Sequence, residues 1–150
     1  MSDLQGKKVL VVGTGISGVA AANLLYEQGA QIVLLESNTK LTPQEIAARF
    51  DGKTEYDLIL GDLPEKAMDS LDLAVLSPGV PTDLPFVEAM QERGIPIWGE
   101  IELAYRCAKG KLIAITGTNG KTTTTALTGA IMREFYKSVF VVGNIGTPYT

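Results

Sequence analysis

The alternation of short apolar runs with helical patterns is the feature that most constrains this chain. Runs rich in leucine or β-branched residues are separated by turns and helix signals, an order that predicts βα units around a parallel sheet. The first run is apolar at every position, as expected of a strand buried on both faces. The last contains Pro96, which suits only an edge strand. The predicted strands are residues 9–12, 32–35, 56–60, 71–76 and 95–98.

Three helices between these strands have recognisable starts. The first follows a glycine turn and is expected to bury Ile16, Ala20 and Leu24 on one stripe. Residues 42–45 form a capping box, with threonine at the N-cap, proline at N1 and glutamate at N3. Asp83 is expected to cap a third helix. A further helix is predicted near residues 100–108.

Residues 13–18 form a G-x-G-x-x-G turn between the first strand and the first helix. Its first glycine permits a tight turn, its second lets a pyrophosphate approach the backbone, and its third packs helix against strand. Backbone N–H groups and the helix dipole would hold the anion. Glu36, which ends the next strand, strengthens the motif. NAD and other pyrophosphate-bearing nucleotides remain equally possible from these residues, and so does a purely structural turn.

A second strand, glycine loop and helix begin near residue 109. Residues 112–116 predict a strand, 117–122 a phosphate loop, 121–135 a helix and 139–142 another strand. The loop ends in Gly-Lys-Thr, which suits a lysine for the β/γ-phosphates and Thr122 for Mg²⁺. Ile115 stands where the standard motif has its first glycine. A turn with a solvated lysine is the alternative, but the strand–loop–helix setting favours a phosphate loop.

These patterns predict two domains of α/β class. Residues 1–108 are expected to form a Rossmann-like parallel-sheet domain. Residues 109–150 are expected to form only the first strand, phosphate loop, helix and strand of a P-loop ATPase domain. One helix and two strands cannot enclose a core, so we expect the second domain to be incomplete here.

Two further loops follow predicted strands. Residues 77–81, Ser-Pro-Gly-Val-Pro, stand at the carboxyl end of a strand, where open α/β sheets bind ligands. Residues 143–146, Gly-Asn-Ile-Gly, place Asn144 where it could hydrogen-bond a ligand. Plain turns explain both loops about as well.

Composition excludes several classes of function. The chain has no histidine, so catalysis by histidine and histidine-ligated metal sites are excluded within it. Cys107 is the only cysteine, and no apolar run is long enough to span a bilayer. No signal peptide is recognisable, so we expect a cytoplasmic protein. The net charge of −4 argues against nucleic-acid binding, and no membrane partner is expected.

These motifs together resemble the Mur ligase family. Residues 114–124 look like the ATP loop of that family, in which Ile115 is normal, although folylpolyglutamate synthase shares this loop. The combination with residues 13–18, 77–81, 99–103 and 143–146 looks like the branch that adds D-glutamate. The alanine-adding branch is expected to have histidine in place of Asn119. The resemblance extends from Lys7 onward.

The resemblance implies a three-domain enzyme that uses ATP and Mg²⁺. ATP would phosphorylate the carboxylate of UDP-N-acetylmuramoyl-L-alanine, and the amine of D-glutamate would attack the acyl phosphate. The implied pyrophosphate contacts are Gly15, Ile16 and Ser17, and the implied uridine contacts are Glu36, Ser37, Ser77, Pro78 and Gly79. Asn144 would contact the muramoyl group. The implied ATP site is Gly117, Thr118, Asn119, Gly120, Lys121, Thr122 and Thr123, with Lys121 and Thr122 catalytic and Thr122 on the metal.

The remaining catalytic parts of such an enzyme would lie outside these 150 residues, so no turnover is expected from this chain alone. Two other classes remain open. An NAD-dependent oxidoreductase domain would account for residues 13–18 and Glu36 but not for the phosphate loop. A non-catalytic module could self-associate through the unpaired strands at residues 112–116 and 139–142.

Overall fold

A computed structural model describes residues 4–143 and 149–150. Its contacts divide the chain into two compact units, one of residues 1–107 with Thr150 and one of residues 108–149. No helix in the described part of the chain is long and apolar enough to cross a membrane.

The first unit is built on a five-stranded sheet in which every pair is parallel. The strand order is β3-β2-β1-β4-β5, which confirms the doubly wound α/β fold. The proline-containing run is indeed at an edge. The strands are β1 (Lys8–Val12), β2 (Gln31–Glu36), β3 (Asp57–Leu60), β4 (Leu73–Leu76) and β5 (Ile97–Gly99).

Helices cover both faces of this sheet. The five of the first unit are α1 (Ile16–Glu27), α2 (Pro43–Ala47), α3 (Glu65–Met68), α4 (Pro85–Glu92) and α5 (Glu100–Cys107). Buried residues of α1, α2 and α5 pack with Val9 and Val11 on one face. Those of α3 and α4 pack with Leu10 and Val12 on the other. Alternate residues of β1 therefore enter two different cores, which explains why its sequence is apolar throughout.

The predicted buried face of α1 was wrong by one residue, about 100° around the helix. Ile16 is 81% exposed, whereas the buried positions are Gly18, Ala21, Ala22 and Leu25. Gly18, Ala21 and Ala22 let the helix backbone lie close to the sheet, and Leu25 is buried beside them. Of the predicted stripe, Ala20 is half-buried, and Leu24 is partly buried against the core.

Of the N-caps predicted for α2 and α4, one is confirmed and the other is wrong. The capping box of α2 is confirmed: the Thr42 hydroxyl accepts from the Glu45 N–H at 3.2 Å, and the Glu45 carboxylate accepts from the Thr42 N–H at 2.8 Å. Asp83 does not cap α4, whose N-cap is Leu84. Pro85 fixes the backbone at the first helical position, so the helix starts one residue later than the aspartate signal indicated.

The second unit contains α6 (Lys121–Phe135), with the bounds that the sequence predicted. Residues 112–116 and 139–142 do not form strands, so those two predictions were wrong. A strand needs a neighbour to receive its ladder hydrogen bonds, and neither segment has one in the described part of this unit. The strand edges expected to mediate self-association are therefore not formed. Leu112 and Ile113 are exposed.

Candidate nucleotide site at the carboxyl edge of the sheet

Three loops meet at one edge of the sheet because β1, β2 and β4 end in register. Val12 of β1 is paired with Leu35 of β2 and with Leu76 of β4. The hydrogen bonds continue one step further, from the Gly13 N–H to the Leu35 carbonyl at 2.8 Å and from the Ser77 N–H to the Val12 carbonyl at 3.2 Å. Residues 13–18, 36–37 and 77–79 consequently lie beside the point where the strand order reverses.

The three glycines of the first loop have three different environments. Gly13 has a φ of +92°, which favours glycine. A Cβ on Gly18 would collide with the Gly13 carbonyl oxygen and lie 2.8 Å from the Gly13 carbonyl carbon, so α1 approaches the turn closely. A Cβ on Gly15 would meet no atom within 4 Å. The tight-turn and packing roles predicted for the first and third glycines are thus observed, and Gly15 is open to solvent.

Helix α1 begins beside this open position, with Gly15 as its N-cap. The N–H groups of the first helical turn, which includes Ile16 and Ser17, have no carbonyl partner within a helix. No acidic residue occupies the first turn. No side chain in the first turn therefore compensates the positive end of the helix dipole, and this arrangement favours the binding of an anion.

Glu36 links the glycine turn after β1 to the loop after β2. Its carboxylate accepts from the Thr14 hydroxyl at 2.5 Å, from the Thr14 N–H at 3.2 Å and from the Asn38 N–H at 2.9 Å. Both Glu36 and Thr14 are buried. The sequence predicted Glu36 as a ligand contact, whereas its oxygens are mostly used to hold the glycine turn to the end of β2.

These contacts set the charge of Glu36. Burial raises the pKa of the carboxyl group, but hydrogen bonds from Thr14 and Asn38, together with the positive charge of Arg49, more than offset that effect. The net result is a pKa below the ordinary value of 4.5. Glu36 is therefore a carboxylate at neutral pH, and its charge is compensated within the loop cluster.

Sequence reasoning missed Thr14 and Arg49. The Arg49 guanidinium donates through Nη1 to the Thr14 carbonyl at 2.9 Å and to its hydroxyl at 3.0 Å. Thr14 occupies a variable position of the glycine motif, and nothing in the local pattern marks Arg49, which lies beyond α2. Both residues border an open cleft of about 490 Å³, lined by Thr14, Gly15, Ile16, Val19, Ala20, Asn23 and Arg49.

The loop after β4 closes the other side of the edge. The Ser77 hydroxyl is buried and, within residues 4–143 and 149–150, has no hydrogen-bond partner. It lies 3.1 Å from a Cβ placed on Gly13 and 3.3 Å from one placed on Gly18, so it packs against the glycine turn. Pro78 and Gly79 are exposed at the same edge, as is Ser37 on the side of β2.

The phosphate loop lies in the second unit. Gly120 caps α6 with a φ of +75°, and Gly117 has a φ of +150°. The Lys121 ammonium donates to the carbonyls of Gly117 and Thr118, so it lies over the loop. Residues 117–124 are exposed. Asn144 lies outside the described residues, and among those that are described no cluster of three acidic or cysteine residues could hold a metal ion.

The sheet order, the glycine turn and the capping of α1 define a doubly wound α/β domain of the Rossmann type. A solved structure of SirC, precorrin-2 dehydrogenase, is similar with a TM-score of 0.53 over 91% of this chain and 70% of that chain. Its sequence identity is only 15%, so the likeness shows the fold alone.

The chain belongs to the family described as Mur ligase MurD-like, N-terminal domain, whose model matches residues 7–99. It is 55% identical to a UDP-N-acetylmuramoylalanine--D-glutamate ligase of Lachnoclostridium phytofermentans, over 97% of this chain and 32% of the relative. It is 52% identical to the enzyme of the same name from Lachnospira eligens, over 99% and 33%. The chain therefore spans about a third of the length of these curated relatives.

Proposed function

We propose that this chain is the uridine-nucleotide-binding part of an ATP-dependent ligase in peptidoglycan precursor synthesis. The whole protein would join D-glutamate to UDP-N-acetylmuramoyl-L-alanine through an amide bond. The observation that carries the proposal is the meeting of residues 13–18, 36–37 and 77–79 at one sheet edge in a chain of this family. The proposal includes a cytoplasmic location, which the single cysteine supports because no disulfide within the chain is possible.

The diphosphate is proposed to bind at the start of α1. Backbone N–H groups of Gly15, Ile16 and Ser17 would donate to its oxygens. Two observations support this assignment: the space beside Gly15 is open, and no acidic residue in the first turn of α1 repels an anion. A side chain at position 15 would therefore be unfavourable for binding, because it would occupy the position proposed for the diphosphate.

The uridine is proposed to lie between the loops after β2 and β4. Ser37, Pro78 and Gly79 are exposed there, while Ser77 supports the loop from below. Glu36 accepts three hydrogen bonds from the protein, and a carboxylate offers roughly four acceptor sites. One site is therefore left for a donor on the nucleoside.

The second loop is proposed to bind ATP with Mg²⁺. The fit rests on a glycine at each end of the loop with positive φ, on the exposed start of α6 and on Lys121 above the loop carbonyls. Lys121 would exchange those carbonyls for phosphate oxygens, and Thr122 would bind the metal ion. Residues 117–120 and Thr123 would surround the phosphates, and Asn144 would contact the muramoyl group. ATP would supply the activation of the substrate carboxylate.

Isothermal calorimetry tests the proposal on the 150-residue chain. The ligands are UDP-N-acetylmuramoyl-L-alanine, UDP and NAD, each titrated with and without ATP and Mg²⁺. We expect heat from both uridine ligands and none from NAD. Gly15→Ala should weaken both uridine ligands, because its Cβ would enter the diphosphate position. Binding of NAD with no response to UDP would contradict the proposal.

The ATP site requires a separate readout. A fluorescent ATP analogue should bind the wild-type chain in the presence of Mg²⁺, and Lys121→Ala should weaken that binding. Lys137→Ala is the matched control, since it removes a lysine from the same unit outside the loop. Equal affinity in all three proteins would contradict the role of Lys121.

A further inference from the structure

Arg49 contacts the glycine turn at Thr14, the residue before Gly15. Its Nη1 atom donates both to the carbonyl and to the hydroxyl of Thr14, at 2.9 and 3.0 Å. Thr14 is fully buried, and its hydroxyl is held in turn by Glu36 at 2.5 Å. The peptide group that follows Thr14 is thus fixed at its oxygen by a residue that lies 35 positions further along the chain.

A fixed carbonyl also fixes the next N–H. The peptide unit between Thr14 and Gly15 is planar and trans, so its C=O and N–H point in opposite directions. With the Thr14 oxygen held toward Arg49, the Gly15 N–H must point away from Arg49. The Gly15 carbonyl accepts from the Val19 N–H at 2.9 Å, but on the side of its N–H Gly15 has no side chain to restrain it, and glycine has wide conformational freedom.

We infer that Arg49 is a positioning residue, which orients the Gly15 N–H for a diphosphate without touching that ligand. The inference rests on the proposed function, since it concerns the same diphosphate site. The chemistry is that of hydrogen bonds to a charged acceptor, whose strength depends on direction. Free rotation of the Thr14–Gly15 peptide would weaken one such bond, whereas the proposed nucleoside contacts at Ser37, Pro78 and Gly79 do not involve this peptide.

The test compares UDP with uridine, because only UDP carries the diphosphate. For Arg49→Gln we expect the Kd of UDP to rise on the order of tenfold, the effect of one hydrogen bond to a charged group, and the Kd of uridine to stay constant. NMR supplies an independent readout in the absence of ligand. The ¹³C resonance of the Thr14 carbonyl and the ¹⁵N resonance of Gly15 should both shift in the variant.

Arg93→Gln is the matched control. Arg93 also donates to a backbone carbonyl, that of Glu65 at 2.9 Å, but it lies just beyond α4, on the other face of the sheet. We expect it to change neither the ratio of UDP to uridine affinity nor the two resonances. A second variant, Arg49→Lys, keeps the positive charge but is one atom shorter, so we expect it to lose UDP affinity as well.

Several results would overturn the inference. Wild-type UDP affinity in Arg49→Gln would do so, as would lost affinity with unshifted Thr14 and Gly15 resonances, which would indicate a direct charge contact. If Arg49→Lys kept full UDP affinity although the two resonances shifted, the positive charge of Arg49, and not its hydrogen bonds to Thr14, would be what supports UDP binding. A wild-type chain that binds no UDP would refute the proposed function and the diphosphate role, while the Thr14 resonance would still decide whether Arg49 anchors the peptide.

Discussion

Substitution of Gly18 by alanine tests how closely α1 must approach the glycine turn. Alanine is the better helix former by about 1 kcal/mol, and Gly18 lies inside α1 without a positive φ. Helix propensity alone therefore predicts stabilisation. The structure predicts the opposite, because the added Cβ would collide with the Gly13 carbonyl oxygen and lie 2.8 Å from its carbon.

The size of the effect follows from what surrounds the new atom. Overpacking costs about 1–3 kcal/mol where side chains can adjust, and more where they cannot. Here the obstacle is backbone, and the Ser77 oxygen at 3.3 Å closes a second side. After subtraction of the gain in helix propensity, we expect the free energy of unfolding to fall by about 2 kcal/mol or more. With a urea m-value of about 2 kcal/mol/M, the midpoint should fall by about 1 M.

Urea denaturation followed by tryptophan fluorescence measures this change. Trp98 is the only tryptophan and lies in β5, so its emission reports the unit that contains Gly18. Gly15→Ala is the matched control, because its Cβ meets no atom within 4 Å, and its midpoint should remain within a few tenths of a molar. A Gly18→Ala protein as stable as the wild type would refute the close approach of α1 to the turn.

Two further changes probe the loops behind the site. Glu36 has a lowered pKa in the folded protein, so its carboxylate stabilises the fold above about pH 4.5, and this contribution is lost as the pH falls through the folded pKa. Glu36→Gln should therefore unfold more easily at pH 7 and show a flatter loss of stability below pH 4.5 in denaturation series; parallel pH profiles would exclude this role. Thr42→Ala removes the N-cap of α2 and should cost about 1 kcal/mol by urea denaturation, whereas Thr42→Ser should cost little; an equal loss in both would argue against the hydroxyl contact.

Sequence patterns predicted those parts of the fold that depend on local or strongly apolar signals. The runs at residues 9–12, 32–35 and 71–76 became β1, β2 and β4 because a parallel sheet buries both faces of its central strands. The capping box at Thr42 is local, and it formed as predicted. The short helix α3 carried no comparable signal, and the sequence did not reveal it.

The predictions that failed depend on how elements pack against one another. Residues 112–116 have the composition of a strand, yet a strand exists only where a neighbour completes its hydrogen bonds. The buried stripe of α1 was misplaced because the distance between helix and turn, rather than side-chain size, decides which residues fit there. Periodicity gives the length of an element, but not how near it lies to the next one.

In the candidate site, one side could be predicted from the sequence and the other could not. The side proposed to meet the ligand is mostly backbone around Gly15 and the first turn of α1, which the glycine motif predicts from spacing alone. The side that holds this backbone in place consists of Thr14, Glu36 and Arg49, brought together from three separate segments. Because backbone N–H groups are the same in every residue, the direction in which they point must be set by these supporting side chains. Substitutions that alter diphosphate affinity should therefore also occur among the side chains that hold this backbone, and not only at the positions that meet the diphosphate.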